Sequence, residues 1–341
     1  MAESSYTKPV SANPEFVPAD ETADKSLSRH ALNVITAFGL VYFFWGSTYI
    51  AIRIGVELIP AALMSGIRFL IAGILMLGWC LLTGKTIRLK RADALRLFVI
   101  GTLLLTGGNA VLVWSESYLP SGLAALIVAV VPLWVAIIEG PVLGGDRLSS
   151  RGWTGLLLGF SGLAVLLWPK ITSTSVLEHK QLFAGAILLL GSLSWAVGSI
   201  ISRRSHLSVG PFVATGWEMT FAGALNLVLG FLHGDHRHAN WSWPGVASIA
   251  YLVTFGSLVG FTAYIWLLEH VPTPKVATYA YVNPVVAVFL GWLILHEHLD
   301  RFTLFGMVVI VAAVALVTSS KLSSGASQSA QTVSPCEQTG D

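Results

Sequence analysis

Charged side chains are scarce in this chain. Asp, Glu, Lys and Arg make up 11% of its 341 residues, against about 25% in a soluble domain, which excludes a water-soluble globule. Cysteine is nearly absent. Cys80 stands in an apolar run and Cys336 near the C-terminus, so no disulfide framework is available. The net charge of +2 is too small to argue for a nucleic-acid partner. Residues 1–26 hold no apolar core and do not read as a signal peptide. Signatures of membrane hydrolases are missing as well. His296 and His298 flank Glu297 without forming HExxH, Gly144, Gly145 and Asp146 lack the first glycine of a GxGD motif, and no GxSxG occurs. These absences weigh against an intramembrane enzyme, and no pattern calls for a cofactor or a metal. The short cluster His233, Asp235, His236 and His238 reads as a solvated loop rather than a metal site.

Apolar residues are what the chain has in abundance. They make up 54% of it, with a mean hydropathy of +0.72. They come in helix-length runs rather than in alternation, which predicts an all-α membrane protein and not a barrel. Ten runs cover about residues 31–52, 62–83, 97–115, 121–143, 153–169, 182–202, 210–232, 245–268, 275–295 and 302–319. With the N-terminus in the cytoplasm, the basic loops 84–96, 144–152 and 203–209 fall inside, together with Lys8, Lys25, Arg29, Lys275 and Lys321. Only Lys170, Lys180, Arg237 and Arg301 then fall outside. Both termini are therefore expected in the cytoplasm. Residues 1–30 and 320–341 are polar and read as disordered cytoplasmic tails.

The two halves, 31–169 and 170–319, repeat at an offset of about 150–152 residues. Trp45 and Arg53 match Trp195 and Arg203. Gly66, Arg68, Ala72 and Gly73 match Gly216, Glu218, Ala222 and Gly223. Gly108, Trp114 and Pro120 match Gly260, Trp266 and Pro272, while Val130 and Pro132 match Val282 and Pro284. Five spans per copy is an odd number, so the second copy must enter the membrane upside down. The expectation is ten transmembrane helices as two inverted five-helix repeats, the arrangement used for alternating access. Pro132 and Pro284 each fall inside an apolar run. A proline there frees a carbonyl one turn earlier, which a membrane tolerates where protein or a watery cavity satisfies it. Both are candidate helix breaks and gating points.

The segments WGSTYIAIRIGVE (45–57), PSGLAALIVAVVP (120–132), SWAVGS (194–199) and TYAYVNPVVAV (278–288) resemble the EamA family of the drug/metabolite transporter superfamily. The likeness covers roughly residues 31–319 and is nearest to one group of exporters within that family. It implies a ten-helix carrier in a bacterial inner membrane, with a central cavity and a small-molecule substrate. Relatives move amino acids, other metabolites or drugs, mostly outward.

Candidate substrate groups are the polar and aromatic side chains placed deep in the runs. Arg68 lies about six residues into the second run and Glu218 about eight into the seventh. Charges at such depth face a protein interior or a cavity. Arg68 offers a planar fork to a carboxylate. Glu218 suits an ammonium, or protons as a coupling ion. At 1.5 Å per residue their backbones differ in depth by about 9 Å, a span that suits a small zwitterion and equally a structural ion pair. Trp45, Trp195, Tyr279 and Tyr281 supply aromatic surface for apolar or cationic groups. Asn109 and Asn283 either bind substrate or satisfy a freed carbonyl. Glu139 is expected to reach the interface, and Glu116 and Glu269, at run ends, to be solvated. Gly155 and Gly159 form a small-xxx-small pair for close helix packing. The expected function is solute export by a secondary transporter, the alternatives being an uncoupled facilitator or a channel. Oligomeric state is left open.

Overall fold

The computed structural model describes residues 21–138, 149–171, 175–271, 276 and 279–331. Among these the chain is helix and turn, with no strand. Helix α1 spans Glu21–Val56 and α2 spans Ala61–Leu82. Helix α3 runs from Arg91–Gly101 through Thr102–Ala110 to Val111–Ser115. Helix α4 consists of Ser121–Val128 and Val131–Ile137. Then come α5 (Ser150–Ile171), α6 (Val176–Arg204) and α7 (Pro211–His233). Helix α8 runs from Trp243–Tyr251 through Leu252–Val259 to Gly260–His270, and α9 (Tyr279–Leu295) and α10 (Arg301–Gln331) complete the chain. Seven of these, α1, α2, α3, α5, α6, α7 and α8, are long and apolar enough to cross a membrane. The apolar stretches of α4, α9 and α10 are shorter.

The outer surface of the bundle is as apolar as its interior. Trp79, Leu157, Leu232, Trp243 and Val308 all stand exposed. Water would not tolerate so much contiguous apolar surface, whereas lipid tails are its natural solvent. Two helices exceed their apolar runs. Helix α1 begins at Glu21 and α10 continues to Gln331, so both enter stretches whose composition alone suggests disorder. An existing helix extends into polar sequence readily, because the costly first turn is already formed.

The two prolines behave differently. Helix α4 stops at Val128, turns at Ala129 and Val130, and restarts with Pro132 in the first turn of its second half. Pro284 instead lies inside the continuous helix α9. Only a break at Pro132 is therefore seen; α9 runs unbroken through its proline.

Packing follows a simple scheme. Helix α2 packs along α7, and α5 along α10. Helix α1 lies against α8 and α9, and α6 lies against α3 and α4. Glycines set the closest approaches. A Cβ on Gly66 would meet Leu227, one on Gly223 would meet the backbone of Leu70, one on Gly73 would meet Thr220, and one on Gly216 would meet Leu77. As residue number rises along α2 it falls along α7, so the two helices cross antiparallel through a glycine-lined seam. Gly159 fits Leu133 and Ala313, and Gly162 fits Val309 and Ile310, so the small residues of α5 serve contacts within the chain.

This seam carries a stability prediction. Gly223→Leu would press a side chain into the Leu70 backbone, which cannot move aside. It should cost about 1–3 kcal/mol and lower the thermal midpoint of the purified protein in detergent. Gly78→Leu meets open space and should leave the midpoint unchanged. Equal midpoints for the two variants would contradict the seam.

Candidate functional site

Arg68 sits midway along α2 and is 3% exposed. Its Nε donates to Ser257 Oγ at 3.1 Å and its Nη1 to Asn109 Oδ1 at 3.4 Å. Both acceptors are neutral. Among the described residues no carboxylate lies within ion-pair distance of the guanidinium, Glu218 included. Glu218, 8% exposed on α7, has no hydrogen-bond partner among the described residues. The ion-pair lock between α2 and α7 is thus not formed in this structure. A buried charge without a counter-charge costs several kcal/mol, so packing alone gives no reason to keep Arg68.

The acceptors come from two unusual stretches. Asn109 belongs to Thr102–Ala110 in α3 and Ser257 to Leu252–Val259 in α8, and both stretches are π-helical. A π turn inserts an extra residue and shifts the backbone bonding, a feature frequent at functional sites. Sequence reasoning missed it. The available signal was the pair Gly108 and Gly260 at corresponding places of the two halves, each with a second glycine close by, Gly107 and Gly256.

Trp45 locks onto the same region. Its Nε1 donates to the Gly256 carbonyl at 3.1 Å. A Cβ on Gly260 would collide with the Trp45 ring, and one on Gly256 would lie 3.0 Å from Arg68 Nη2. Trp195 rests on Gly108 in the same manner, a Cβ there lying 3.0 Å from its ring. The Trp45 ring packs against Tyr279 and Tyr264, with centroids 5.0 and 5.1 Å away. The structure therefore brings Trp45, Arg68, Asn109, Ser257 and Tyr279 into one chain of contacts. Trp195 occupies the equivalent place on the other half.

Asn283 lies apart from Arg68, on α9 where that helix meets α1. A Cβ on Gly46 would be 3.3 Å from its carbonyl oxygen. Its side-chain Oδ1 is buried without a hydrogen-bond partner. Glu139, Pro272 and the Tyr281 and Glu269 side chains lie outside what the structure describes. Of the loop cluster, His233 Nδ1 meets Asp235 Oδ1 at 2.7 Å beside the left-handed Gly234 that ends α7.

Two cavities lie at opposite ends of the bundle. One, of about 350 Å³, opens where α1, α3 and α9 finish and is walled by Arg53, Glu57, Tyr118, Gln181 and Glu297. The other, of about 440 Å³, is lined by Lys85, Arg88 and Ser208 to Val213. Arg68 lines neither of these two. Glu116 departs from expectation. It ends α3, but it is fully buried rather than solvated, because the start of α4 and the segment after α9 fold over it.

The family model described as the EamA-like transporter family matches this chain twice, over residues 33–168 and 182–319. An uncharacterized inner membrane transporter of Escherichia coli strain K12, YedA, is 38% identical over 86% of this chain and 93% of its own length. The uncharacterized transporter YoaV of Bacillus subtilis is 23% identical over 82% and 94%. The chloroplastic WAT1-related protein At3g02690 of Arabidopsis thaliana is 24% identical over 81% and 67%. A crystal structure superposes with a TM-score of 0.59, at 20% identity, over 85% of this chain and 98% of that one, which speaks for the fold alone.

Proposed function

The chain belongs to the EamA-like transporter family, and from that premise we propose that it exports small amphoteric metabolites, amino acids or compounds like them, with Arg68 holding the substrate carboxylate. It is a multi-pass membrane transporter with a small-molecule substrate. The observation that carries the finer reading is the buried guanidinium whose hydrogen-bond partners among the described residues are the neutral Ser257 Oγ and Asn109 Oδ1, with the Phe69 ring 4.8 Å away. A bidentate carboxylate is the partner it lacks. Glu218 is the matching acidic group for the substrate ammonium or for a coupling proton. Trp45, Trp195 and Tyr279 supply the aromatic walls, with Asn109 and Asn283 as polar contacts.

Alternating access is supported by the pairing of the helices. Exchanging each helix of the first half for its counterpart five places on leaves the packing scheme intact. The α1–α8 contact becomes α6–α3, α1–α9 becomes α6–α4, and α2–α7 and α5–α10 map onto themselves. The antiparallel α2–α7 seam fits two inverted five-helix repeats, one on residues 31–169 and one on 170–319. The break at Pro132 and the proline Pro284 lie in the α4 and α9 pair and are the proposed hinge points. The Lys and Arg distribution supports an orientation with both termini in the cytoplasm of a bacterial cell and the 350 Å³ cavity outside. Labelling of Arg237→Cys only from the cytoplasmic side would contradict that orientation.

Transport and stability measured on the same variants test the reading. Arg68→Met should retain the thermal midpoint, since it removes an unpaired buried charge. In proteoliposomes it should lose uptake of carboxylate-bearing substrates by about 100-fold, roughly the worth of a charge-assisted pair, and keep uptake of cationic ones. Glu218→Gln should do the reverse. Counterflow by the parent protein would set a carrier apart from a channel. Normal zwitterion transport by a folded Arg68→Met protein would falsify the carboxylate role.

A further inference from the structure

Helices α4 and α9, which carry Pro132 and Pro284, are tied together at one end by the Glu297 carboxylate. The chain leaves α9 at Leu295 and reverses at His296, whose φ of 52° makes it the one non-glycine residue in the left-handed region among those described. The Glu297 N–H then bonds back to the Gly291 carbonyl at 3.1 Å. Glu297 Oε1 accepts the Ser121 N–H at 2.6 Å, and Oε2 accepts the Gly122 N–H at 3.1 Å. Pro120, which precedes α4, supplies no side-chain cap. A carboxylate from a distant segment therefore closes the helix start, where the dipole favours negative charge. Gly291 makes room for it, since a Cβ there would be 2.6 Å from Glu297 Oε2 and 2.8 Å from Ser121 Oγ. A non-glycine residue held at positive φ is strained, and such strain persists where the surroundings enforce it.

A second carboxylate lies behind this one with nothing to hold it. Glu116 is 0% exposed, and neither of its carboxylate oxygens has a hydrogen-bond partner among the described residues. Arg53 is close, but its guanidinium is committed elsewhere. It donates to the Glu116 backbone carbonyl and pairs with Glu57 Oε1 at 2.9 Å. From α1 the other titratable neighbour is the buried Tyr49. From the segment after α9 it is Glu297, flanked by the exposed His296 and His298. Helix α6 brings the uncharged Gln181 to the cavity wall and carries Glu178, His179 and Lys180 in the turn before it. Burial first, and Glu297 second, hold the Glu116 carboxyl well above the ordinary carboxylate range, with Arg53 acting against them. Two neighbouring carboxylates of which one caps a helix leave the proton on the other.

We propose that Glu116 is a proton-binding site governing a latch, the Glu297 bridge from α9 to the start of α4, that closes this end of the carrier. With Glu116 protonated, the negative charge of Glu297 sits on the α4 helix end unopposed. When Glu116 releases its proton to water in the adjoining 350 Å³ cavity, a second negative charge appears beside the first in a dry setting. The repulsion is relieved when Glu297 leaves the helix end, freeing α4 from α9. One proton is released per opening and rebound per closing. The proposal rests on the alternating-access reading, and it puts the coupling proton away from Arg68 and Glu218.

The latch can be followed without substrate, so its failure and that of the carboxylate reading are separable. The reporter is a bimane label on His298→Cys, quenched by Tyr118→Trp, in full-length protein with Cys80 and Cys336 changed to Ser. His296→Asn removes the other histidine flanking Glu297 and tolerates the left-handed backbone. Quenching should be strong in acid and relieved as the medium is made alkaline, the transition lying well above the ordinary carboxylate range. Glu116→Gln, which mimics the protonated group, should stay quenched throughout, and Glu297→Gln should be unquenched at both ends. A Glu116→Gln protein that titrates like its parent overturns the proposal. Should that variant not fold, infrared spectroscopy of the parent decides. A protonated-carboxyl band must disappear over the same pH range as the quenching, and its absence or a non-coincident titration overturns the proposal. Arg68→Met should leave the latch titration untouched.

Discussion

A guanidinium buried in a bundle of apolar helices, hydrogen-bonded to two neutral oxygens and lying over the Phe69 ring, is the constraint around which this molecule makes sense. Removing a cation from water is expensive, and an interior without a counter-charge returns little of that cost. The chain nevertheless brings Arg68 to Ser257 and Asn109, and keeps Glu218 out of ion-pair range. The surroundings are organised to hold the fork in place rather than to neutralise it. Ser257 and Asn109 come from π turns of α8 and α3, and Trp45 secures one of those turns through the Gly256 carbonyl. An anionic group that arrives from elsewhere is the partner the proposed carboxylate role supplies.

The same economy explains the glycines. A membrane interior gives no hydrophobic drive for helix association, so close packing must do more of the work. Gly66 and Gly73 of α2 and Gly216 and Gly223 of α7 let two antiparallel backbones approach closely. That approach places Arg68 and Glu218 on either side of the seam without joining them. Toward the end where α3 and α9 finish, packing gives way to electrostatics. There Glu297 closes the start of α4, and the buried Glu116 lies beside it.

Much of this was legible in the sequence. Scarce charge and helix-length apolar runs gave the class, and the 150-residue offset of Trp45, Arg68 and Gly73 with Trp195, Glu218 and Gly223 singled out residues that the fold places in the interior. What escaped was decided by contacts between segments far apart in the chain. Glu116 reads as solvated because it follows a helix end, yet the start of α4 and Glu297, 181 positions on, cover it. The proline rule anticipated the break in α4 but not the continuous helix over Tyr279–Leu295, and the presence of a proline alone does not separate the two. The π turns left only glycines as a trace, since an inserted residue changes backbone bonding and not hydrophobic period. The ends of α1 and α10 outran their apolar runs because helix propagates more easily than it begins.

The measurement closest to the central claim is a structure of the protein with a bound zwitterionic substrate. The account predicts carboxylate oxygens within about 3 Å of the Arg68 guanidinium, with the substrate's ammonium toward Glu218. A transported substrate bound away from α2, with Arg68 still resting on Ser257 and Asn109, would contradict it.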